Sequence, residues 1–404
     1  MGIARGPHLI KDNLVFGYDT GYGVADSNTS TRFYPGEPTT NLKSSNQTSG
    51  QIAGMSGVSL TYVGEENGYS KYSMSGTFSG GTYPYCMYLP GVSFTGGTAY
   101  STQVKLKTTA SHKFNYFGGG INYVNQPQNS AGTNSSVLQS DGFNYIKREG
   151  FNYVSTTGQS GYIHSNPINN TTFNSSTDFI YVKDFQIEQN SHSTVHTPTS
   201  RSSTQSLIDL KRTTDINVSN VSFDSTGQPD FDGTDDYISK TRNQYGISDS
   251  WSVELVFEPT DDSDTSWNGL FGGSLTQGGY WFFHSAGNLA YYEGYSGAIG
   301  SKITYRDWKK SNTFTQDNHH HLVITYTPSS TTAGTFNLYY NGGEKTDSFS
   351  WTFGWNHSLD SRFIGSGDGR FGTNNVRIYK EYSKAITAEE VKQNFNAYKN
   401  RFNI

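Results

Sequence analysis

Short runs of alternating apolar and polar residues recur along nearly the whole chain, each closed by Gly, Ser, Thr or Asn. A period of two held over so many runs leaves β-strand as the regular element that most of this sequence can form. The runs stand at 13–19, 58–63, 71–74, 83–89, 100–106, 112–117, 143–147, 153–155 and 179–187. They return more strongly at 251–257, 269–273, 279–284, 321–326 (HLVITY), 336–340 (FNLYY), 363–365 and 376–379 (VRIY). Asn341-Gly342 directly behind FNLYY is a tight hairpin signal. With 29 Tyr and 25 Phe carrying much of an apolar fraction of only 33%, the rings favour the same pleated surfaces. Strands of this spacing read as sandwiches or jelly rolls.

One segment departs from the pattern. Thr387-Ala-Glu-Glu390 is a capping box, and Val391, Phe395, Tyr398 and Phe402 follow at helical spacing, which predicts a short C-terminal helix packed on a sandwich. On that reading Phe395→Ala costs about 3–5 kcal/mol.

At 404 residues there is room for two or three domains that each bury a core. The net charge of −5, with no basic run anywhere, argues against nucleic acid and anionic membranes as partners, because those contacts need clustered Lys and Arg. The opening MGIARGPHLIKDN has no apolar signal core, and no apolar stretch approaches membrane-spanning length, so synthesis in a cytoplasm and no membrane insertion are expected. A single cysteine, Cys86, excludes intrachain disulfides and reads as a small buried hydrophobe.

The motifs along the chain resemble known families. LVFGYD at 14–19, LIDL at 207–210 and PDFDGTDDYIS at 229–239 together resemble the opening of a laminin-G-like, concanavalin-A-type sandwich, split by roughly 160 residues with their own strand pattern. The His pair ahead of HLVITY and the Tyr-x-Asn-Gly hairpin that follows match the same pattern. FIYVKDFQIEQNSHSTVHTPTSRSST (179–204) resembles the end of carbohydrate-binding-module-like jelly rolls in phage structural proteins. VRIYKEYSKAITAEEVKQNFNAYKNRF (376–402) resembles the terminus of concanavalin-A-like domains in tailed-phage virion proteins. The resemblance implies an all-β fold of two β-sandwich or jelly-roll domains, one inserted into the other: 1–40 plus 206–404 as a discontinuous laminin-G-like sandwich, and 41–205 as the insert. It further implies a non-enzymatic virion surface protein, as fibre, appendage or decoration, made in the host cytoplasm. Its partners would be other virion proteins, copies of itself (a trimer in a fibre) and host surface glycans. Purely structural decoration is the alternative, followed by a glycan-active enzyme.

The concanavalin-A fold hosts both lectins and hydrolases, so chemistry has to be read from residues. Hydrolysis needs two carboxylates across the scissile bond, and the Glu-x-Asp-x-(x)-Glu strand pattern of sandwich glucanases does not occur, so no catalytic residue is assigned. No cofactor is expected. Asp261, Asp262 and Asp264 have the density of a calcium loop, although a solvated turn explains them better, as it does Asp232 to Asp236. His319, His320 and His321 invite a zinc reading, but neighbours on a strand point to opposite faces and do not converge on one ion. Gly118-Gly119-Gly120 lacks the helix and Lys of a phosphate cradle and reads as a loop. Sugar binding rests on exposed rings. Trp267, between Ser266 and Asn268, and Tyr295, near Gly294 and Gly297, are the candidates, while the surrounding Tyr280, Trp281, Tyr291 and Tyr292 read mostly as core. The insert has no Trp, which weakens it as a glycan platform.

Overall fold

The computed structural model describes residues 8–22, 36–42, 51–53, 55–80, 85–123, 132–139, 142–152, 156–197, 199–224, 227–240, 244–246, 248–260, 268–273, 277–284, 288–295, 302–309, 313–343, 345–352, 358–360, 363–367 and 370–404. The chain divides into two compact units, a host unit of Met1–Pro38 with Ser202–Ile404 and an inserted unit of Thr39–Arg201. The fold is all-β, with antiparallel sheets stacked as sandwiches and one C-terminal helix.

In the host unit, a six-stranded sheet runs in the order β1 (Leu14–Asp19), β32 (Asn374–Tyr382), β20 (Trp251–Pro259), β25 (His320–Pro328), β26 (Ala333–Tyr340) and β27 (Lys345–Thr352). A seven-stranded sheet runs β15 (Ile216–Ser219), β18 (Tyr237–Lys240), β29 (Phe363–Ile364), β21 (Asn268–Gly272), β22 (Gln277–His284), β23 (Asn288–Tyr295) and β24 (Lys302–Lys309). Short pairs join β16 (Ser222–Phe223) to β17 (Pro229–Asp230), β19 (Gln244–Gly246) to β28 (Ser358–Asp360), and β30 (Ser366–Gly367) to β31 (Arg370–Phe371). Both large sheets feed one core: Phe16, Val253, Leu255, Ile324 and Phe336 come from the first, and Val218, Ile238, Phe271, Trp281 and Tyr291 from the second. Apolar area removed from water at this interface is the main source of stability.

The split motif supplies corners of this sandwich. Phe231 enters the core while its N–H donates to Asn375 Oδ1 at 2.8 Å. Asp209 of LIDL is buried and accepts from Gly17 N, Thr213 N and Thr214 N, so one carboxylate satisfies backbone donors that would otherwise be stranded. Leu210 N donates to Gly17 O at 2.7 Å, which lays the LIDL segment along β1.

The helix α1 (Ala388–Phe402) starts with the capping box, Glu390 N donating to Thr387 Oγ1 and Thr387 N to Glu390 Oε2. It covers the outer face of the six-stranded sheet, where Val391 packs with Val323 and Tyr382, and Tyr398 and Phe402 with Val256 and Ile378. Burial then follows Val391, Asn394, Tyr398 and Phe402. Phe395, expected at the centre of the apolar stripe, is only half-buried. It lies at the rim against Gly342 of the hairpin, where a Cβ would stand 2.2 Å from its ring. The position facing the sheet belongs to Asn394, because the sheet face beneath it is charged. No described helix is long and apolar enough to cross a membrane.

In the inserted unit, one sheet runs β12 (Thr172–Phe173), β5 (Tyr69–Thr77), β13 (Phe179–Glu188), β7 (Ala99–Thr108), β10 (Asn144–Asn152) and β9 (Thr133–Leu138), with β4 (Val58–Glu66) also paired to β5. The second sheet runs β3 (Gln51–Ala53), β6 (Tyr85–Phe94), β11 (Thr156–Pro167) and β8 (Phe114–Tyr123). Tyr72, Val104, Leu106, Ile146 and Val182 from the first sheet meet Phe94, Phe114, Ile121 and Ile163 from the second. The three glycines 118–120 lie inside β8, not in a loop. Gly120 pairs with His164 and Phe117 with Ser165, so Gly118-Gly119 form a bulge, and at Gly118 (φ +70) a Cβ would meet Ile146 Cδ1 at 2.8 Å.

The unit closes where the chain enters and leaves. β2 (Thr39–Thr40) pairs with β14 (Ser200–Arg201). Beside them Asn41 bridges Phe185 O and Thr197 O, Gln186 donates to Thr194 Oγ1 and accepts from Thr197 N, and Glu188 accepts from Thr194 and Thr39. This is the structural role of the Lys-Asp-x-Gln-x-Glu and Thr-Pro segments: each buried polar group finds a partner on the opposite crossing.

Candidate functional site

Trp267, Asp261, Asp262 and Asp264 lie outside the described residues. Tyr295 ends β23 in register with Gln277, and its side chain is also outside them. Of the neighbouring rings, Trp281 and Tyr291 are fully buried with centroids 5.2 Å apart, while Tyr292 is half-buried. Trp251, Trp281 and Trp351, the tryptophans whose side chains are described, belong to the core.

His320 points away from its two neighbours, as alternation along a strand requires, while His319 and His321 both lie on the helix side of the sheet. His320 turns into the sandwich against Phe257 and Phe314, with Nδ1 3.0 Å from Tyr340 Oη and Nε2 3.0 Å from Thr315 O. His321 faces the helix and its Nε2 lies 2.9 Å from Glu254 Oε1. His319 packs on Tyr22 and Phe402. A grouping of carboxylates does form at Asp232, Asp235 and Asp236. It is a turn device: Asp236 accepts from Asp232 N, Asp232 from Thr234 N, and Asp235 from Asn220 Nδ2. Burial, joined by the charges of Asp232 and Asp235, pushes the Asp236 carboxyl up.

Among the described residues of the host unit, a dense charged cluster sits on the outer face of the six-stranded sheet, under α1. Glu254 is fully buried and accepts hydrogen bonds from Tyr382 Oη and Asn394 Nδ2, both at 2.9 Å, beside His321; Lys380 Nζ lies 3.7 Å away and donates to Tyr398 Oη. Burial alone would raise its pKa; Lys380 and the hydrogen bond from His321 outweigh that and hold it down at about 2. A second pair, Lys240 and Glu381 at 3.2 Å, is sealed inside the sandwich. These groups have the chemistry of an acid/base site without access. The other carboxylate on this face of β20 is Glu258, four residues from Glu254 and so roughly 13 Å along the strand, beyond the span that either glycosidase geometry uses. It is held instead by Arg377 Nη2 at 2.7 Å. The arrangement anchors the helix; it does not address a substrate.

What the sequence reading passed over is the outer face of the first sheet of the inserted unit. Its inner positions fill the core, and the alternate positions on β5, β7, β10 and β13 carry lysines and rings. Tyr181 stands in register with Lys71 on one side and Lys107 on the other. Lys105 stands between Lys183 and Tyr145. Lys71 Nζ lies 4.0 Å from the Phe179 centroid, and Lys183 Nζ lies 4.5 and 4.4 Å from those of Tyr69 and Phe143. Lys147 Nζ is 5.0 Å from that of Tyr145. Three carboxylates stand among them, Glu66 with Lys71 at 2.6 Å, Asp184 with Lys105 at 3.0 Å and Glu149 with Lys147 at 3.4 Å. Tyr69, Tyr145, Phe179 and Tyr181 are half-buried, and Val137 on the edge strand β9 is 59% exposed. The lysine stems lie along the rings and their ammonium groups reach the rim. The outcome is a mixed surface of rings, hydroxyls, cations and carboxylates on a rigid sheet. Sequence gave little warning, because the contributing residues come from four strands and no local window contains them.

No protein-family model and no curated protein matches the chain. Among solved structures it is similar to the botulinum neurotoxin serotype D ligand-binding domain in complex with N-acetylneuraminic acid, at 18% identity and a TM-score of 0.37, over 48% of this chain and 49% of that one. It is also similar to the botulinum neurotoxin D receptor-binding domain (16% identity, TM-score 0.35, 48% and 50% covered) and to its type G counterpart (15%, 0.35, 47% and 48%). The chain spans about half the length of these structures. The class that fold and site define is an all-β protein of two sandwiches, and its function has to come from its own residues.

Proposed function

We propose that the protein is a non-enzymatic surface component of a tailed-phage particle that attaches to host-surface glycans. The observation that carries the attachment is the outer sheet face of the inserted unit, where half-buried rings, lysines and carboxylates alternate on a rigid support. Saccharides present apolar C–H faces between hydroxyl groups, and such a surface meets both with ring faces and with paired donors and acceptors. The phage setting rests on the motifs at 179–204 and 376–402. Display as a homo-oligomer, a trimer in a fibre, on the virion surface turns weak single contacts into firm attachment. The sealed position of Glu254 and Glu381 supports a role without turnover.

A glycan array on the purified chain tests the reading. Retention of glycans with no release of reducing sugar is expected. Polysaccharide turnover abolished by one Asp or Glu substitution would overturn the non-enzymatic role, and unchanged host adsorption by particles lacking the protein would leave a purely structural decoration. Trp267→Ala beside Tyr181→Ala decides between the host-unit loop and the inserted-unit face as the contact.

A further inference from the structure

We infer that the ligand of the inserted unit is an acidic polysaccharide, lying across the outer face of its first sheet with its carboxylates on Lys71, Lys107 and Lys183 and its sugar rings against Tyr69, Phe179 and Tyr181. This rests on the glycan-binding reading and narrows it to a chemical class and a face.

The whole chain is acidic at −5, yet of the six described lysines between Thr39 and Arg201 all but Lys113 stand on this one sheet face. A solvated face on an acidic protein has no need of such a segregation. The spacing is that of a lattice: Lys71, Tyr181 and Lys107 occupy one row across three neighbouring strands, so cation, ring and cation follow each other at the strand separation of about 4.8 Å. An acidic sugar carries a carboxylate and an apolar ring face within one residue of chain, and this row offers a partner to each. Lys183 is already held between Tyr69 and Phe143, with its Nζ 3.2 Å from Tyr69 Oη, so its ammonium is positioned before any ligand arrives. Preorganisation of this kind lowers the ordering cost of binding.

The three carboxylates favour an acidic sugar over a polynucleotide. Glu66, Asp184 and Glu149 are interleaved with the lysines, and an acidic sugar carries, on the same residue as its charge, hydroxyls that donate to such carboxylates, whereas a phosphodiester linkage has no donor to offer them.

The test uses the full chain and four probes in a binding titration at low and at physiological salt: alginate, which is a polyuronate; neutral dextran; dextran sulfate; and a deoxythymidine oligonucleotide. Alginate should bind with an affinity that falls as salt rises, and dextran should not bind. The triple variant Lys71→Gln/Lys107→Gln/Lys183→Gln should lose alginate affinity by about tenfold or more, roughly the worth of one charge-assisted hydrogen bond, with an unchanged melting transition. Should the triple variant fold poorly, Lys→Arg at the same three positions is expected to fold and to retain alginate. Dextran bound as well as alginate, with no salt response, would sink the acidic class and leave glycan binding standing. No polysaccharide bound at all would remove both. Dextran sulfate or the oligonucleotide bound as tightly as alginate would reduce the face to an ion exchanger and overturn the inference.

Discussion

The buried carboxylate under the C-terminal helix gives the sharpest quantitative prediction. Replacing Glu254 by Leu removes the acceptor of three hydrogen bonds and the counter-charge 3.7 Å from Lys380, all in a site closed to water. Breaking a buried pair from one side costs about 3–5 kcal/mol, most of it the penalty of the ammonium left behind. In a unit of this size each kcal/mol moves the melting midpoint by about 2–4 °C, so the host-unit transition should fall by about 6–20 °C. Adding Lys380→Met removes the stranded charge, and the double variant should be more stable than the sum of the single losses by about 0.5–3 kcal/mol. Calorimetry of the four proteins in the cycle measures this directly. A single loss below about 1 kcal/mol, or strict additivity, would refute the view that charge pairing under the helix fastens it to the sheet.

Three further outcomes are expected. Burial, opposed by Glu258, depresses His319 to about 4 from the ordinary 6.5, and Glu254 sits at about 2 against 4.5. The unfolded chain therefore binds more protons between those values, and host-unit stability should fall as pH drops from about 6.5 towards 2; a midpoint constant from neutral to strongly acid pH would contradict this, and Glu254→Gln should remove the lower part of the slope. Gly342→Ala forces a side chain onto a left-handed backbone and into the Phe395 ring, and should destabilise by more than about 1 kcal/mol, whereas Phe395→Ala, at the rim, should cost about 1–2 kcal/mol instead of the 3–5 of a core residue; urea titration separates them. Gln186→Leu strands partners at the closure of the inserted unit, costing about 1–3 kcal/mol, and hydrogen exchange should quicken around 194–201 while β20 and β25 stay protected.

How far sequence reached depends on whether the determining contacts were local. HLVITY and FNLYY were legible as β25 and β26 because alternation and an Asn-Gly turn are properties of adjacent residues. The capping box fixed the start of α1 for the same reason. The run WSVELVFEP also reads as a strand, but its alternation suggests one wet face, whereas β20 is buried on both sides because a helix more than a hundred residues later covers the second. Glu254 and Asn394 thus look like surface residues until the fold places them together. The same limit hid the lysine and ring face, since register brings Lys71, Lys107 and Tyr181 side by side and register is set by the whole sheet.

β1 has a consequence for how the molecule is made. Among the described strands its partner is β32, Leu14 opposite Tyr382, so a strand made ahead of the insert has a partner that is made only long after it. At about 5–20 residues per second the nascent chain spends roughly 20–70 s between them. Throughout that interval the inserted unit, whose strands are complete by Arg201, is free to finish folding. Phe16 and Tyr18, both destined for the core, stay without their sheet. The hazard in biosynthesis therefore falls on the host unit, and a chain truncated just before β32 should be captured by chaperones with its insert already native.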